Sequence, residues 1–111
     1  MRNRAGYYIL GDDGEPVAVD DLKTWAQWYE THGPDRIVAK TDTGNELVST
    51  VFLALDHAFL EPGPILYETM IFGGEHDSRQ WRYRNRHEAL AFHDQVAAAL
   101  RDRLPLPDHD R

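Results

Sequence analysis

The chain has 111 residues, 41% of them hydrophobic, and a formal net charge of −7 from 12 Lys and Arg against 19 Asp and Glu. That length makes one domain, and 3 Trp, 5 Tyr and 4 Phe supply enough apolar surface for a core. The absence of Cys excludes a disulfide scaffold, a thiolate metal site and a cysteine nucleophile, and an acidic balance concentrated in the first two thirds of the chain argues against a nucleic-acid partner.

In chain order, Tyr7-Tyr8-Ile9-Leu10 reads as a short strand, Gly11-Asp12-Asp13-Gly14 as a tight turn, and Pro16-Val17-Ala18-Val19 as the returning arm, with Pro16 suited to an edge. Asp20 or Asp21 then caps a helix whose stripe is Leu22, Trp25, Ala26 and Tyr29, and which stops at Gly33-Pro34. RIVAKT (36–41) and ELVSTVFLAL (46–55) flank the turn Asp42-Thr43-Gly44-Asn45 and predict a second hairpin. The loop AFLEPGP leads into the strand ILYETMIF, which Gly73-Gly74 ends, and a short edge strand, WRYR, comes after the polar loop GEHDSRQ.

Asn85 with Glu88 three residues later makes a capping box, and Ala89, Phe92, His93, Val96, Ala97 and Leu100 form the apolar stripe of a last helix closed by Pro105 and Pro107. The sum predicts an α+β fold: a mainly antiparallel sheet of four to six strands with two helices on one face. A single domain over residues 1–104 is expected, with 105–111 as a frayed tail. Apolar runs such as VFLAL fall far short of a membrane span and no export signal is read, so no membrane association and a cytoplasmic location are expected.

At STVFLALDHAF, with PILYETMIFGG after it, the sequence resembles a family of small proteins of phages, prophages and GC-rich bacteria. The resemblance extends to YYIL with DGEPVAVDDLKTWAQWYE, and to EALAFH in the last helix, so it spans most of the chain. It implies a common fold unit and a mobile-element origin, and it brings no substrate, cofactor or catalytic residue with it. Phe92 stands where the resemblance leads one to expect a small residue before His93.

Three polar residues in the apolar elements are the candidate chemistry. Asp56 and His57 are adjacent and point to opposite faces if the strand runs that far, so only one of them can join Glu68. Glu68 shares its side with Leu66, Met70 and Phe72, which predicts that it faces the core or floors a pocket beneath the last helix, within reach of His93. His57, Glu68 and His93 could then make a two-His, one-carboxylate metal site or an acid/base set. The plainer alternative gives Glu68 a partner in Thr50, Thr69 or a downstream Arg, and makes His93 a packed core residue.

Ser49, His57 and Asp56 have the residue types of a triad, but Ser49 lies mid-strand. DDGEP lacks the alternating ligands of a calcium loop. Arg79, Arg82, Arg84 and Arg86, interleaved with Trp81 and Tyr83, form a basic-aromatic strip that could hold a phosphate or stack a base, or else neutralises the acidic front or charges an edge strand, and Trp28 falls off its helix stripe as a contact residue. No cofactor is expected. Together these features suggest an accessory or binding protein acting on a protein partner, and forming a homodimer through the open sheet face or the edge near WRYR. The alternative is a small metal-dependent or acid/base enzyme using His57, Glu68 and His93.

Overall fold

The computed structural model describes residues 6–58 and 63–107. In order, the elements are β1 (Tyr7–Leu10), β2 (Pro16–Val19), α1 (Leu22–His32), a 3-10 turn (Gly33–Arg36), β3 (Ile37–Asp42), β4 (Leu47–Phe52), β5 (Tyr67–Phe72), β6 (Gln80–Tyr83) and α2 (Arg86–Asp102). β1 and β2 pair with each other, and β3-β4-β5-β6 form a four-stranded antiparallel sheet in chain order, so the fold is α+β as expected. Residues 59–62, most of the AFLEPGP turn, lie outside the described residues, as do the N-terminal five and 108–111.

Turn chemistry sets both hairpins. Gly14 takes φ +81 between β1 and β2, and between β3 and β4 the Asp42 carboxylate accepts from the Gly44 N–H at 2.8 Å while Gly44 sits at φ +103. The predicted ten-residue strand is cut short. β4 ends at Phe52, and Ala54 adopts φ 67, a left-handed conformation that bends the chain away from β3. Beyond the bend the same segment pairs with the N-terminal hairpin: the Tyr8 N–H donates to Ala54 O, and Leu55 bridges Tyr7.

Burial alternates along the strands and assigns the two faces of the sheet. Val48, Thr50 and Phe52 of β4, Tyr67, Thr69 and Ile71 of β5, and Trp81 and Tyr83 of β6 are buried against α2. That helix contributes Ala89, His93, Val96, Ala97 and Leu100. Its first turn is capped by Asn85, whose Oδ1 accepts from the Glu88 N–H at 2.8 Å, while Glu88 reaches back to the Arg84 N–H, one residue earlier than a reciprocal box would place it. Arg103 at φ 59 ends the helix. The chain stays packed past the expected domain boundary: Leu106 lies against the core, and Pro107 O accepts from the Trp81 indole N–H at 3.3 Å.

Helix α1 lies against the β1-β2 hairpin with Trp25 and Tyr29 of the expected stripe packed, but with Trp28 in place of Leu22 and Ala26. Asp21 caps it, but Leu22 is 56% exposed, and the residues that pack are Trp25, Trp28 and Tyr29. The Trp25 indole donates to Ala54 O at 3.0 Å, and Trp28 meets Phe52 edge-on at 5.9 Å. Through these contacts α1 fixes the bend that ends β4.

Candidate functional site

The parity of β5 separates the three candidate residues. Thr69 points to α2, so its neighbour Glu68 points to the opposite, open face, and the expectation that Glu68 lies beneath the last helix near His93 is corrected. Leu66 misled because it precedes β5 and is buried independently of the strand's alternation.

On the helix side, His93 is 2% exposed and bonded at both ring nitrogens. Nδ1 lies 2.8 Å from Thr50 Oγ1 and Nε2 2.9 Å from Thr41 Oγ1, while Thr50 Oγ1 lies 2.5 Å from Thr69 Oγ1. These bonds tie α2 to β3, β4 and β5 in turn. A neutral imidazole donates through one nitrogen and accepts through the other, so two hydroxyls satisfy it completely. Burial holds His93 below its ordinary pKa, and the nearby Asp94 carboxylate opposes that shift. The ring is thus kept neutral and occupied, with neither nitrogen left to take a metal or a substrate proton.

On the open face, Arg82 Nε donates to Glu68 Oε2 at 2.9 Å across the β5-β6 register pair. His57 lies close enough to respond to both. Burial and the Arg82 guanidinium hold it below its ordinary pKa, and the Glu68 and Asp56 carboxylates oppose them. Asp56 is a loop clamp: one carboxylate oxygen accepts from the Ala58 N–H at 2.8 Å and the Ile65 N–H at 3.0 Å, joining the two ends of the β4-β5 connection. His57 and Glu68 therefore share a neighbourhood that His93 does not enter. Among the described residues no group of three or more His, Cys, Asp or Glu is arranged to hold a metal ion.

The binding candidates divide by face as well. Trp81 and Tyr83, expected in a contact strip, are 4% and 3% exposed and belong to the core under α2, so their rings offer packing and no surface. Burial pushes the Tyr83 hydroxyl up to about 12, with the Thr69 hydroxyl opposing. Arg79 lies over the Trp81 ring at 5.2 Å, Arg82 holds Glu68, and Arg84 is exposed after β6. Trp28, expected to be free for contact, is half-buried.

The open face of the sheet, expected where helices cover one side only, presents a surface of its own. Three rows of register partners cross it: Asp42, Leu47 and Phe72; Lys40, Ser49, Met70 and Gln80; Ile37, Val51, Glu68 and Arg82. Phe72 is 47% and Ile37 46% exposed, and the helices pack on the other side. Its central strands mix Leu47, Val51, Met70 and Phe72 with Ser49 and Glu68, and Lys40, Asp42, Gln80 and Arg82 stand on the edge strands, a pattern that strand parity discloses once Thr50 and Thr69, rather than Glu68, are placed toward the core.

Comparison with family models, with curated proteins and with solved structures found no match.

Proposed function

We propose that this chain is a small accessory or binding protein of mobile-element type that acts on a protein partner through the open face of its four-stranded sheet. The supporting observation is how the polar side chains are used. His93 is consumed by Thr41 and Thr50, Glu68 by Arg82 and Asp56 by its own loop, whereas Leu47, Val51, Met70 and Phe72 lie together on the face opposite α2, which no helix covers among the described residues. Four apolar residues on the central strands, beside Ser49 and the Glu68–Arg82 pair and flanked by charged edge positions, suit a protein-protein interface. A second copy of the chain fits the same description, since Lys40 and Asp42 on one edge and Glu68 and Arg82 toward the other supply both signs of charge. The enzyme alternative would have to work with His57 and Glu68 alone.

A photo-reactive residue placed at Met70 in the native host tests this proposal, with Gln95 on the exposed side of α2 as the control position. The expected result is a discrete adduct from position 70 and none from position 95, abolished by Phe72→Asp. An adduct of twice the chain mass identifies a second copy; any other mass identifies a different partner. Equal labelling at both positions, or an adduct indifferent to Phe72→Asp, would overturn the reading.

A further inference from the structure

A cleft of about 660 Å³ opens between the tip of the β1-β2 hairpin, the end of α1, the start of β3 and the first residue of α2. Ile9, Val17 and Val38 give it apolar walls, Trp28 and His32 enter from α1 with their rings stacked at 5.6 Å, and Arg86 enters from α2. The cleft shares Ile37 with the margin of the open face, but Met70 and Phe72 take no part in its lining.

Arg86 is the unusual member. Its Nε is buried without a hydrogen-bond partner, and among the described residues its guanidinium makes no hydrogen bond or ion pair. The hairpin tip leaves room for it: Gly14 sits at φ +81, and a Cβ there would stand 3.0 Å from Arg86 Nη1. The hydroxyl of Tyr67, also buried and unpartnered, lies near enough to feel the Arg86 charge. Arg86 lines the open cleft, so those of its guanidinium donors that are not buried can meet an anion entering it.

The walls specify the occupant's chemistry. A planar fork of donors matches the paired oxygens of a carboxylate or phosphate, and the aliphatic walls with the Trp28–His32 ring pair match an apolar body. Asp12 and Asp35 also line the cleft and disfavour an extended polyanion. We propose that this cleft binds a small organic acid, its carboxylate or phosphate held by Arg86 and its apolar body placed between Trp28 and the Ile9, Val17 and Val38 walls.

The test is an NMR titration of the unaltered protein with benzoate, phenyl phosphate, benzyl alcohol and inorganic phosphate, tracking the Arg86 Nε–Hε and Trp28 indole N–H signals. The expected result is a saturable shift of both signals with benzoate or phenyl phosphate at millimolar concentration; whichever acid binds tighter identifies the anion. Benzyl alcohol, and either acid with Arg86→Gln, should bind at least about tenfold more weakly, and Arg86→Lys should fall between, because it keeps charge without the fork. The proposal is overturned by no saturable shift with either acid, by benzyl alcohol acting as strongly as benzoate, or by inorganic phosphate alone acting as strongly as phenyl phosphate. A folded Arg86→Gln protein that binds undiminished overturns it too. Should that variant not fold, the benzyl alcohol comparison decides.

Discussion

His93 Nδ1 lies 2.8 Å from the hydroxyl of Thr50, which in turn lies 2.5 Å from the hydroxyl of Thr69. The helix is thereby bonded to the middle of the sheet through a polar chain inside an otherwise apolar layer. Buried hydrogen bonds of this kind contribute little net stability when complete and cost a good deal when one member is removed.

Replacement of His93 by Ala should therefore destabilise the protein by about 3 kcal/mol, from the lost packing together with the Thr41 and Thr50 hydroxyls left unbonded. Urea denaturation measures it. A cost below about 0.5 kcal/mol would mean that the chain of hydroxyls is not structural.

The same ring makes stability depend on pH. Its folded pKa is lowered by burial from the ordinary 6.5, so above 6.5 the folded and unfolded chains are both neutral at this site and its contribution is fully present. As pH falls below 6.5 the unfolded chain takes up a proton that the folded one resists, and stability is lost toward the folded pKa. His57, lowered by burial and Arg82, acts with the same sign. Denaturation midpoints at about pH 7.5 and about pH 5.5 should show a decline on acidification that is smaller in His93→Gln. An equal decline in that variant assigns the effect elsewhere.

Glu68→Gln should be mild. The Glu68 side chain is 14% and that of Arg82 35% exposed, so the pair is partly solvated and its loss should cost about 0.5 kcal/mol, within the range of exposed ion pairs. A thermal melt suffices; a loss above about 2 kcal/mol would show a carboxylate far more deeply engaged than the open face allows.

Two members of the basic-aromatic strip should differ several-fold in their effect on stability. Trp81→Ala removes a core ring and should cost about 3–5 kcal/mol, whereas Arg79→Ala removes only a surface cation over that ring and should cost about 0.5–1 kcal/mol. Equal effects on stability would contradict the placement of Trp81 under α2.

The elements themselves were legible because each carries a local cause: Gly14 and Gly44 at the turns, Asp21 and Asn85 at the caps, a 3.6-residue stripe in α2. What the sequence did not disclose was parity. A Leu-Tyr-Glu-Thr-Met run assigns Glu or Thr to the core equally well until its partners are known. Nothing local announces that Thr50, Thr69 and His93 satisfy one another, because that chain joins residues 43 positions apart. The bend at Ala54 was hidden for a related reason: a non-glycine left-handed residue is imposed by the packing of Trp25 and Tyr8 around it, which no single-strand pattern encodes. The apolar side chain of Leu22 draws the α1 stripe away from Trp28, although the spacing 25, 28, 29 and 32 already describes a helix face.

The most direct measurement is the yield of partner adduct from a photo-reactive residue at position 70 in three further backgrounds, each confirmed folded by its melt: Glu68→Gln, His93→Gln and Phe72→Asp. If the polar strand residues are scaffold and the open face is the working surface, the first two retain the adduct and Phe72→Asp loses it. The account is contradicted if Glu68→Gln or His93→Gln abolishes the adduct at unchanged stability while Phe72→Asp leaves it intact.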